Sequence, residues 1–283
     1  MSTTQPLPNN SSENVVLVDL NDGVFRVVLN RPDSRNALSR EMVESLMQAL
    51  DYAVAEKQVR VIVFAAIGKA FCAGGNIGNV HDRLAEPVGQ NGRDPIAIGN
   101  RFYGKFLESL ARSPKPTVAV VQGAAMGGGA GLVCAVDIAI AISGVKFGFP
   151  ETSIGLVPAQ ILPFVAARIG IQQARRMMLT GERVSSETAF RIGLVDYLEQ
   201  DEHALETRLN QVTAALKHGG PKALENTKVM LRTLFGLREW QEQGLSEYLD
   251  NAADVFAAQL RSEALEGIEA ARARRTPVWD CVK

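Results

Sequence analysis

The chain has 283 residues, of which 46% are hydrophobic and 22% are charged, and its formal net charge at pH 7 is -1. This balance argues against nucleic-acid binding, which normally requires a basic patch or an excess of positive charge. The chain contains no run of about 20 apolar residues, which is the length that a helix needs to cross a bilayer. We therefore expect a globular protein large enough for one sizeable α/β core.

The N-terminus and the cysteines predict a cytoplasmic protein. Residues 1–12 are polar, contain prolines and lack an apolar segment, which favours a flexible tail over a signal peptide. The three cysteines, Cys72, Cys134 and Cys281, form no CxxC pair, and their odd number argues against a disulfide framework. The three histidines lack metal-ligand spacing, so we expect no metal.

The first predicted elements are a hairpin and a helix. Apolar runs at residues 15–19 and 24–29 flank Asn-Asp-Gly, and Asp-Gly between two such runs is a hairpin signal. Ser39 is a suitable helix N-cap, and apolar residues recur at helical spacing between Met42 and Val54. The chain should therefore enter a helix soon after the hairpin.

Three continuous apolar runs follow, at residues 59–66, 117–121 and 138–142. Such runs are typical of strands that are buried on both faces of a sheet. A helix is predicted over residues 96–111, and nearly all of the chain after Glu202 reads as helical. The pattern predicts an α/β fold whose functional loops lie at the carboxyl ends of strands.

We expect three regions along the chain. Residues 1–12 form the flexible tail, residues 13–200 an α/β core, and residues 201–283 a C-terminal helical region. Within the core, residues 76–94 are polar and rich in glycine. Long loops in compact domains are often functional, so this segment is predicted to be an active-site flap rather than a plain surface loop.

Two glycine-rich loops each follow a buried strand. The first reads Phe-Cys-Ala-Gly-Gly-Asn at 71–76, and the second reads Gly-Ala-Ala-Met-Gly-Gly-Gly at 123–129. Glycine lets a ligand approach bare backbone N–H groups, and two such donors can stabilise a carbonyl oxygen that gains negative charge. The alternative is that the second loop only lets a helix pack closely on a sheet. Neither loop has the spacing of a dinucleotide or Walker fingerprint.

Further segments carry a resemblance to a known family. They are Leu-Asn-Arg-Pro at 29–32, Asn-Ala-Leu at 36–38, Lys-Phe-Gly-Phe-Pro-Glu at 146–151 and Gly-Leu-Val-Pro-Ala at 155–159. Together with the glycine loops, this order resembles the enoyl-CoA hydratase/isomerase, or crotonase, family from about residue 15 to the C-terminal helices. The resemblance implies repeated ββα units, a C-terminal helical trimerisation region, a homotrimer or homohexamer, and an acyl-CoA thioester substrate with no separate cofactor.

The resemblance also implies roles for individual residues. The N–H groups of Gly75 and Gly128 would hold the thioester oxygen, and Glu151 would match the second of the two catalytic glutamates of a typical hydratase. The position of the first glutamate holds Gly131, which cannot transfer a proton. Glu151 is then the only clear acid/base.

One glutamate permits either hydration or double-bond isomerisation. The segment after Glu151, together with Gly131, resembles bacterial hydratases of branched glutaconyl-CoA esters in terpene and leucine breakdown. We therefore expect hydration of isohexenylglutaconyl-CoA first and 3-methylglutaconyl-CoA next, with Gly131 leaving room for the branch. A Δ3,Δ2-enoyl-CoA isomerase and a non-catalytic binding or scaffold subunit are the alternatives.

Substrate contacts are less specific in the sequence. Gln160, Arg101 and Lys105 are candidates to bind a distal substrate carboxylate, or else ordinary structural residues. By resemblance, Arg31, Arg35 and Lys228 lie where the family contacts CoA, although each could equally be a solvated charge. Two further residues, Ala73 and Pro158, are expected to line the acyl site. An apolar stripe through Leu245, Leu249 and Phe256 is typical of core packing, but the resemblance implies that it forms a subunit interface.

Overall fold

The structure is a computed structural model that describes residues 14–75, 84, 85, 87, 94–234, 244–262 and 264–278. The predicted tail at residues 1–12 and most of the predicted flap at residues 76–94 lie outside these ranges. Within them, no helix combines the length and the apolarity that crossing a bilayer requires.

The predicted hairpin and first helix are both present. Strand β1 (Val16–Asn21) pairs antiparallel with β2 (Val24–Leu29). The two turn residues, Asp22 and Gly23, have φ values of 46° and 77°, as the preferred two-residue turn of a hairpin requires. Helix α1 (Arg40–Ala55) begins after Ser39, whose hydroxyl accepts a hydrogen bond from the Met42 amide at 3.1 Å.

The remaining strands and helices follow along the chain up to Arg272. The other strands are β3 (Val61–Ala66), β4 (Ala70–Cys72), β5 (Thr117–Val121), β6 (Ala124–Met126), β7 (Ile138–Ile142), β8 (Lys146–Gly148), β9 (Arg183–Ser185) and β10 (Tyr197–Glu199). The other helices are α2 (Pro95–Ala111), α3 (Gly128–Ala135), α4 (Leu162–Thr180), α5 (Ser186–Arg191), α6 (Glu202–His218), α7 (Pro221–Leu234), α8 (Gly244–Arg261) and α9 (Ala264–Arg272).

The strands form two sheets with matching order. The larger sheet runs β1-β2-β3-β5-β7-β10 and the smaller one runs β4-β6-β8-β9. Each of β3, β5 and β7 is followed by a short strand of the smaller sheet, which gives the repeated ββα unit. Because β4, β6 and β8 are neighbours and parallel, their carboxyl ends meet at one edge. The expected crotonase-like α/β fold is confirmed.

The core lies on both faces of the larger sheet. In β3, Ile62 and Phe64 face the main apolar cluster, whereas Val61 and Val63 face a second cluster that Leu209 of α6 helps to close. The alternation explains why this strand is apolar at every position, since both faces are covered.

The C-terminal helices pack on the same chain. Leu245 and Leu249 of α8 are buried in the main core, and α8 packs along α2. Phe256 is partly buried against the neighbouring apolar cluster. The apolar stripe that was expected to form a subunit interface is therefore an internal contact, because a helical stripe does not specify which surface it meets.

Candidate active site

Three loops bring the predicted catalytic residues together. Residues 73–75 follow β4, Gly127 and Gly128 follow β6, and Glu151 lies three residues after β8 in a short 3-10 turn. All three loops leave the same edge of the smaller sheet, so backbone donors and a carboxylate converge. They line one cavity of about 1040 Å³.

The first glycine loop is fixed by the segment before α1. The Ala73 amide donates to the Arg35 carbonyl at 2.9 Å, and the Leu38 amide donates to the Gly74 carbonyl at 2.8 Å. Asn36 is fully buried, and its amide nitrogen donates to two carbonyls at 3.0 Å each. Gly75 itself is exposed, and a Cβ atom added there would have no neighbour within 4 Å. Its backbone is thus open to a ligand.

The second glycine loop leads directly into α3. Gly127 precedes the helix with φ 51° and ψ -122°, a conformation essentially restricted to glycine. Gly128 is the first helical residue, and the first amides of a helix have no partner within it. The positive end of the helix dipole lies at the same place and favours an anionic oxygen.

Close packing explains only part of the second loop. A Cβ atom on Gly129 would lie 2.4 Å from the Cys72 carbonyl oxygen, so this glycine lets α3 approach β4. Gly128 lines the cavity instead, although it is also tightly surrounded. A Cβ atom there would lie 2.7 Å from Leu38 Cδ1 and 3.3 Å from Tyr103 Cε1.

Glu151 presents its carboxyl group to the second loop. A Cβ atom on Gly127 would lie 2.8 Å from Glu151 Oε1, and Glu151 Oε2 is buried without a hydrogen-bond partner among the described residues. Burial raises the pKa of this carboxyl to about 7, against a smaller opposing effect of its own backbone N–H. A group with this pKa can both take and give a proton near neutral pH.

Gly131 does not provide the expected room. It is buried on α3, and a Cβ atom added there would lie 2.3 Å from Ile161 Cγ2. Ile161 lines the cavity and Gly131 does not. The volume that the missing glutamate side chain would have occupied is filled by isoleucine, so the predicted space for a branch at this point is absent.

The candidate substrate-binding residues divide into two groups. Ala73, Pro158, Gln160, Arg101 and Lys105 line the cavity together with Glu151. Arg31, Arg35 and Lys228 are not part of its lining.

Other contacts account for two of the residues outside the cavity. The Lys228 ammonium lies 2.5 Å from Asp137 Oδ2 and donates to the Lys115 carbonyl at 3.0 Å. The Arg31 guanidinium donates to the Asn30 carbonyl at 3.0 Å. Within one chain, therefore, these cations contact local structure and do not line the cavity.

Arg101 and Gln160 form a buried polar cluster in the cavity wall. The Arg101 guanidinium contacts Glu108 at 2.8 Å and Asp250 at 2.6 Å, and its Nη1 has no partner within the described ranges. Gln160 donates to the Leu249 carbonyl at 2.8 Å, and its Oε1 is likewise without a described partner. Both of these atoms are buried within the wall, so the cluster holds, among the described residues, one unpaired donor and one unpaired acceptor away from solvent.

The cysteines and metal-binding side chains add no further chemistry in the described part of the chain. Burial raises the pKa of both Cys72 and Cys134 to about 12, so both remain thiols and are unsuited to nucleophilic attack. No group of three or more His, Cys, Asp or Glu residues in these ranges could hold a metal ion.

Two cavity residues were not singled out in the sequence. Ile161 and Tyr103 both line the cavity, but Ile161 begins an apolar run that is typical of core packing and Tyr103 lies within an ordinary amphipathic helix. Only the pairing of Ile161 with a glycine 30 positions earlier, and of Tyr103 with Gly128, reveals their place. No sequence pattern could have indicated either contact.

Comparison with known proteins places the chain in one family. Residues 19–281 match the family model described as enoyl-CoA hydratase/isomerase. A putative enoyl-CoA hydratase of Thermus thermophilus is 32% identical over 92% of this chain and 99% of its own length. The 1,2-epoxyphenylacetyl-CoA isomerase of Escherichia coli is 31% identical over 68% of this chain and 72% of its own.

A solved structure extends the similarity to three dimensions. AtuE of Pseudomonas aeruginosa is 41% identical to this chain, and the two structures match with a TM-score of 0.73. The match covers 94% of this chain and 99% of AtuE. The protein belongs to the enoyl-CoA hydratase/isomerase family.

Proposed function

We propose that the protein is an enoyl-CoA hydratase in which Glu151 is the single acid/base. The observation that carries this proposal is the position of the Glu151 carboxyl, buried against Gly127 and in the same cavity as Gly75 and Gly128. Two backbone donors can hold a thioester oxygen while one carboxylate of pKa about 7 acts beside it.

The bonds made and broken in the proposed reaction involve only these three residues, the substrate and water. The amides of Gly75 and Gly128 polarise the thioester carbonyl, which makes the β-carbon electrophilic. Ionised Glu151 takes a proton from water, the water oxygen bonds to the β-carbon, and the electrons of the double bond move to the thioester oxygen as an enolate. Glu151 then returns the proton to the α-carbon, so that one water molecule has been added. CoA is part of the substrate throughout, and we propose no separate cofactor.

We propose a 3-branched glutaconyl-CoA as the substrate, with isohexenylglutaconyl-CoA favoured over 3-methylglutaconyl-CoA. A distal carboxylate could pair with the exposed Lys105 of the cavity wall, whereas the Arg101 guanidinium is already paired with Glu108 and Asp250. Ile96, Leu156 and Val157 also line the cavity and offer apolar surface to a long branch. Because Ile161 fills the space beside Gly131, the branch should lie along these other residues.

A Δ3,Δ2-enoyl-CoA isomerase is the second candidate. Gly131 stands at the position of the first glutamate, and Ile161 fills the space beside it. This arrangement favours isomerisation, because moving a proton between two carbons requires one carboxylate and no bound water. One relative is named as an isomerase of a different CoA ester, 1,2-epoxyphenylacetyl-CoA, so isomerases occur among the relatives of this chain.

Steady-state kinetics would decide between these functions. The substrates to be tested are crotonyl-CoA, 3-methylglutaconyl-CoA, isohexenylglutaconyl-CoA and a 3-enoyl-CoA. The absorbance of the conjugated thioester reports each reaction. Hydration removes this absorbance, whereas isomerisation of the 3-enoyl ester creates it. We expect the highest kcat/KM for a branched glutaconyl ester. The highest value for crotonyl-CoA would reject the branched substrate, and turnover of the 3-enoyl ester alone would reject hydration.

We further propose a cytoplasmic homotrimer or homohexamer. Helix α7 leaves Met230 and Leu231 at 63% and 49% exposure in the single chain, and a neighbouring subunit could cover them. Lys228, on the same helix, would then lie close to a subunit boundary. Light scattering at micromolar concentration should give three or six subunits, and a monomer would contradict this assembly.

A further inference from the structure

The loss of the first glutamate raises the question of what orients the attacking water. A water molecule held by one carboxylate can still rotate about that hydrogen bond, so a second contact is needed to direct its lone pair at the β-carbon. Residue 131 cannot supply the contact, because it is a buried glycine covered by Ile161. The second group must come from another element of the cavity wall.

Tyr103 of α2 is a second polar side chain, besides Glu151, that touches the second glycine loop. Its hydroxyl donates to the Gly128 carbonyl at 2.6 Å, and a Cβ atom on Gly128 would lie 3.3 Å from its ring. The ring also packs on Phe106, with 6.1 Å between the ring centroids. The hydroxyl is therefore held in one place, on a residue that lines the cavity.

Glu151 and Tyr103 contact consecutive residues of one turn. Glu151 Oε1 lies against Gly127, and the Tyr103 hydroxyl lies against Gly128. Because the single hydrogen of the Tyr103 hydroxyl is directed at the Gly128 carbonyl, the oxygen has its lone pairs left to accept a hydrogen bond. Burial holds the pKa of Tyr103 well above its usual value, so it stays protonated across the working pH range.

We propose that the Tyr103 oxygen accepts one hydrogen bond from the attacking water, while the Glu151 carboxylate accepts the second hydrogen bond of the same water. This assignment rests on the proposed hydratase function. The two acceptors occupy both hydrogens of the water and leave a lone pair of its oxygen for the β-carbon. Only Glu151 takes a proton; the bond that forms is between the water oxygen and the β-carbon, and Tyr103 keeps its own hydrogen throughout.

The test compares Tyr103→Phe with the matched variant Tyr52→Phe, whose ring packs on Phe25 outside the cavity. Loss of one hydrogen bond to the reacting water should lower the kcat for hydration by about 10- to 100-fold. The KM should stay within about twofold, because the contact is made to water and not to the thioester. Tyr52→Phe should keep the wild-type rate.

A second measurement separates a catalytic role of Tyr103 from a structural one. Exchange of the α-protons of butyryl-CoA in D2O requires Glu151 and the two backbone donors but no attacking water. Tyr103→Phe should therefore lose hydration and retain exchange. A parallel fall in both rates would show that Tyr103 only supports the Gly128 backbone and would overturn the proposal.

The remaining outcomes are also distinguishable. Wild-type hydration in Tyr103→Phe would reject the role of Tyr103 and leave the hydratase function intact. Failure of the wild-type protein to hydrate any conjugated ester of the panel would instead reject the proposed function, and the role of Tyr103 with it.

Discussion

Gly127 and Glu151 are fitted to each other: a Cβ atom on Gly127 would lie 2.8 Å from Glu151 Oε1. The carboxyl therefore occupies space that any other residue at position 127 would take. The same glycine has a positive φ of 51° and precedes the helix that begins at Gly128. One residue thus sets both the position of the acid/base and the direction of a backbone donor.

Gly127→Ala should abolish most activity. The new methyl group must displace the carboxyl, and the backbone conformation costs on the order of 1–3 kcal/mol for a residue other than glycine. We expect kcat/KM to fall at least about 100-fold, since a displacement of about 1 Å can have this effect. Gly144→Ala is the matched control, because Gly144 has φ 85° but a Cβ atom there would have no neighbour within 4 Å. Equal losses of activity in the two variants would contradict the specific fit to Glu151.

Glu151→Gln should remove proton transfer and keep the shape of the site. The expected loss in kcat is about 10²- to 10⁴-fold, with binding of a CoA thioester product largely retained. Calorimetric titration and steady-state kinetics measure the two effects. Glu187→Gln, at an exposed site on α5, is the control. Turnover close to the wild-type value in Glu151→Gln would remove this residue from the mechanism.

The pH dependence of hydration should report the ionisation of Glu151. Water activation requires the carboxylate, and burial raises the pKa of this group to about 7. On a logarithmic scale, kcat/KM should rise with pH up to about 7 and then level off, with a value at pH 5 roughly 100-fold below the plateau. A flat profile between pH 5 and pH 7 would mean that the carboxyl ionises at its ordinary pKa.

The same carboxyl should reduce stability when it ionises. Its pKa rises from 4.5 to about 7 on folding, so the folded state binds more protons than the unfolded state between these values, and stability falls as the pH rises through this interval. The full effect is about 3 kcal/mol above pH 7. Glu151→Gln should therefore gain stability relative to the wild-type protein at pH 8 but not at pH 4.5, as urea unfolding at both pH values would show.

The sequence predicted local features better than contacts between distant segments. Buried strands such as Thr117–Val121 and the loops at their ends could be recognised because apolar runs and glycines are local signals. The partners of Gly131 and Gly128 could not be recognised, since Ile161 and Tyr103 reach them from other elements. The buried stripe of α8 was misassigned for the same reason, because helical periodicity identifies an apolar face without identifying its partner.

The contact between Gly131 and Ile161 leads to the last prediction. Restoring a side chain at position 131 should not restore a second catalytic group, because a Cβ atom there would lie 2.3 Å from Ile161 Cγ2 and 2.7 Å from Ile161 Cβ. Gly131→Ala alone should destabilise the protein by about 1–3 kcal/mol through overpacking, and Ile161→Ala alone by about 2–5 kcal/mol through a cavity. The double variant should be more stable than the sum of these losses predicts, since the new methyl group partly fills the space that Ile161 leaves. Urea unfolding of the four proteins gives the coupling free energy, which we expect to be about 0.5–3 kcal/mol in favour of the pair. Additive losses would show that the two residues do not share this space.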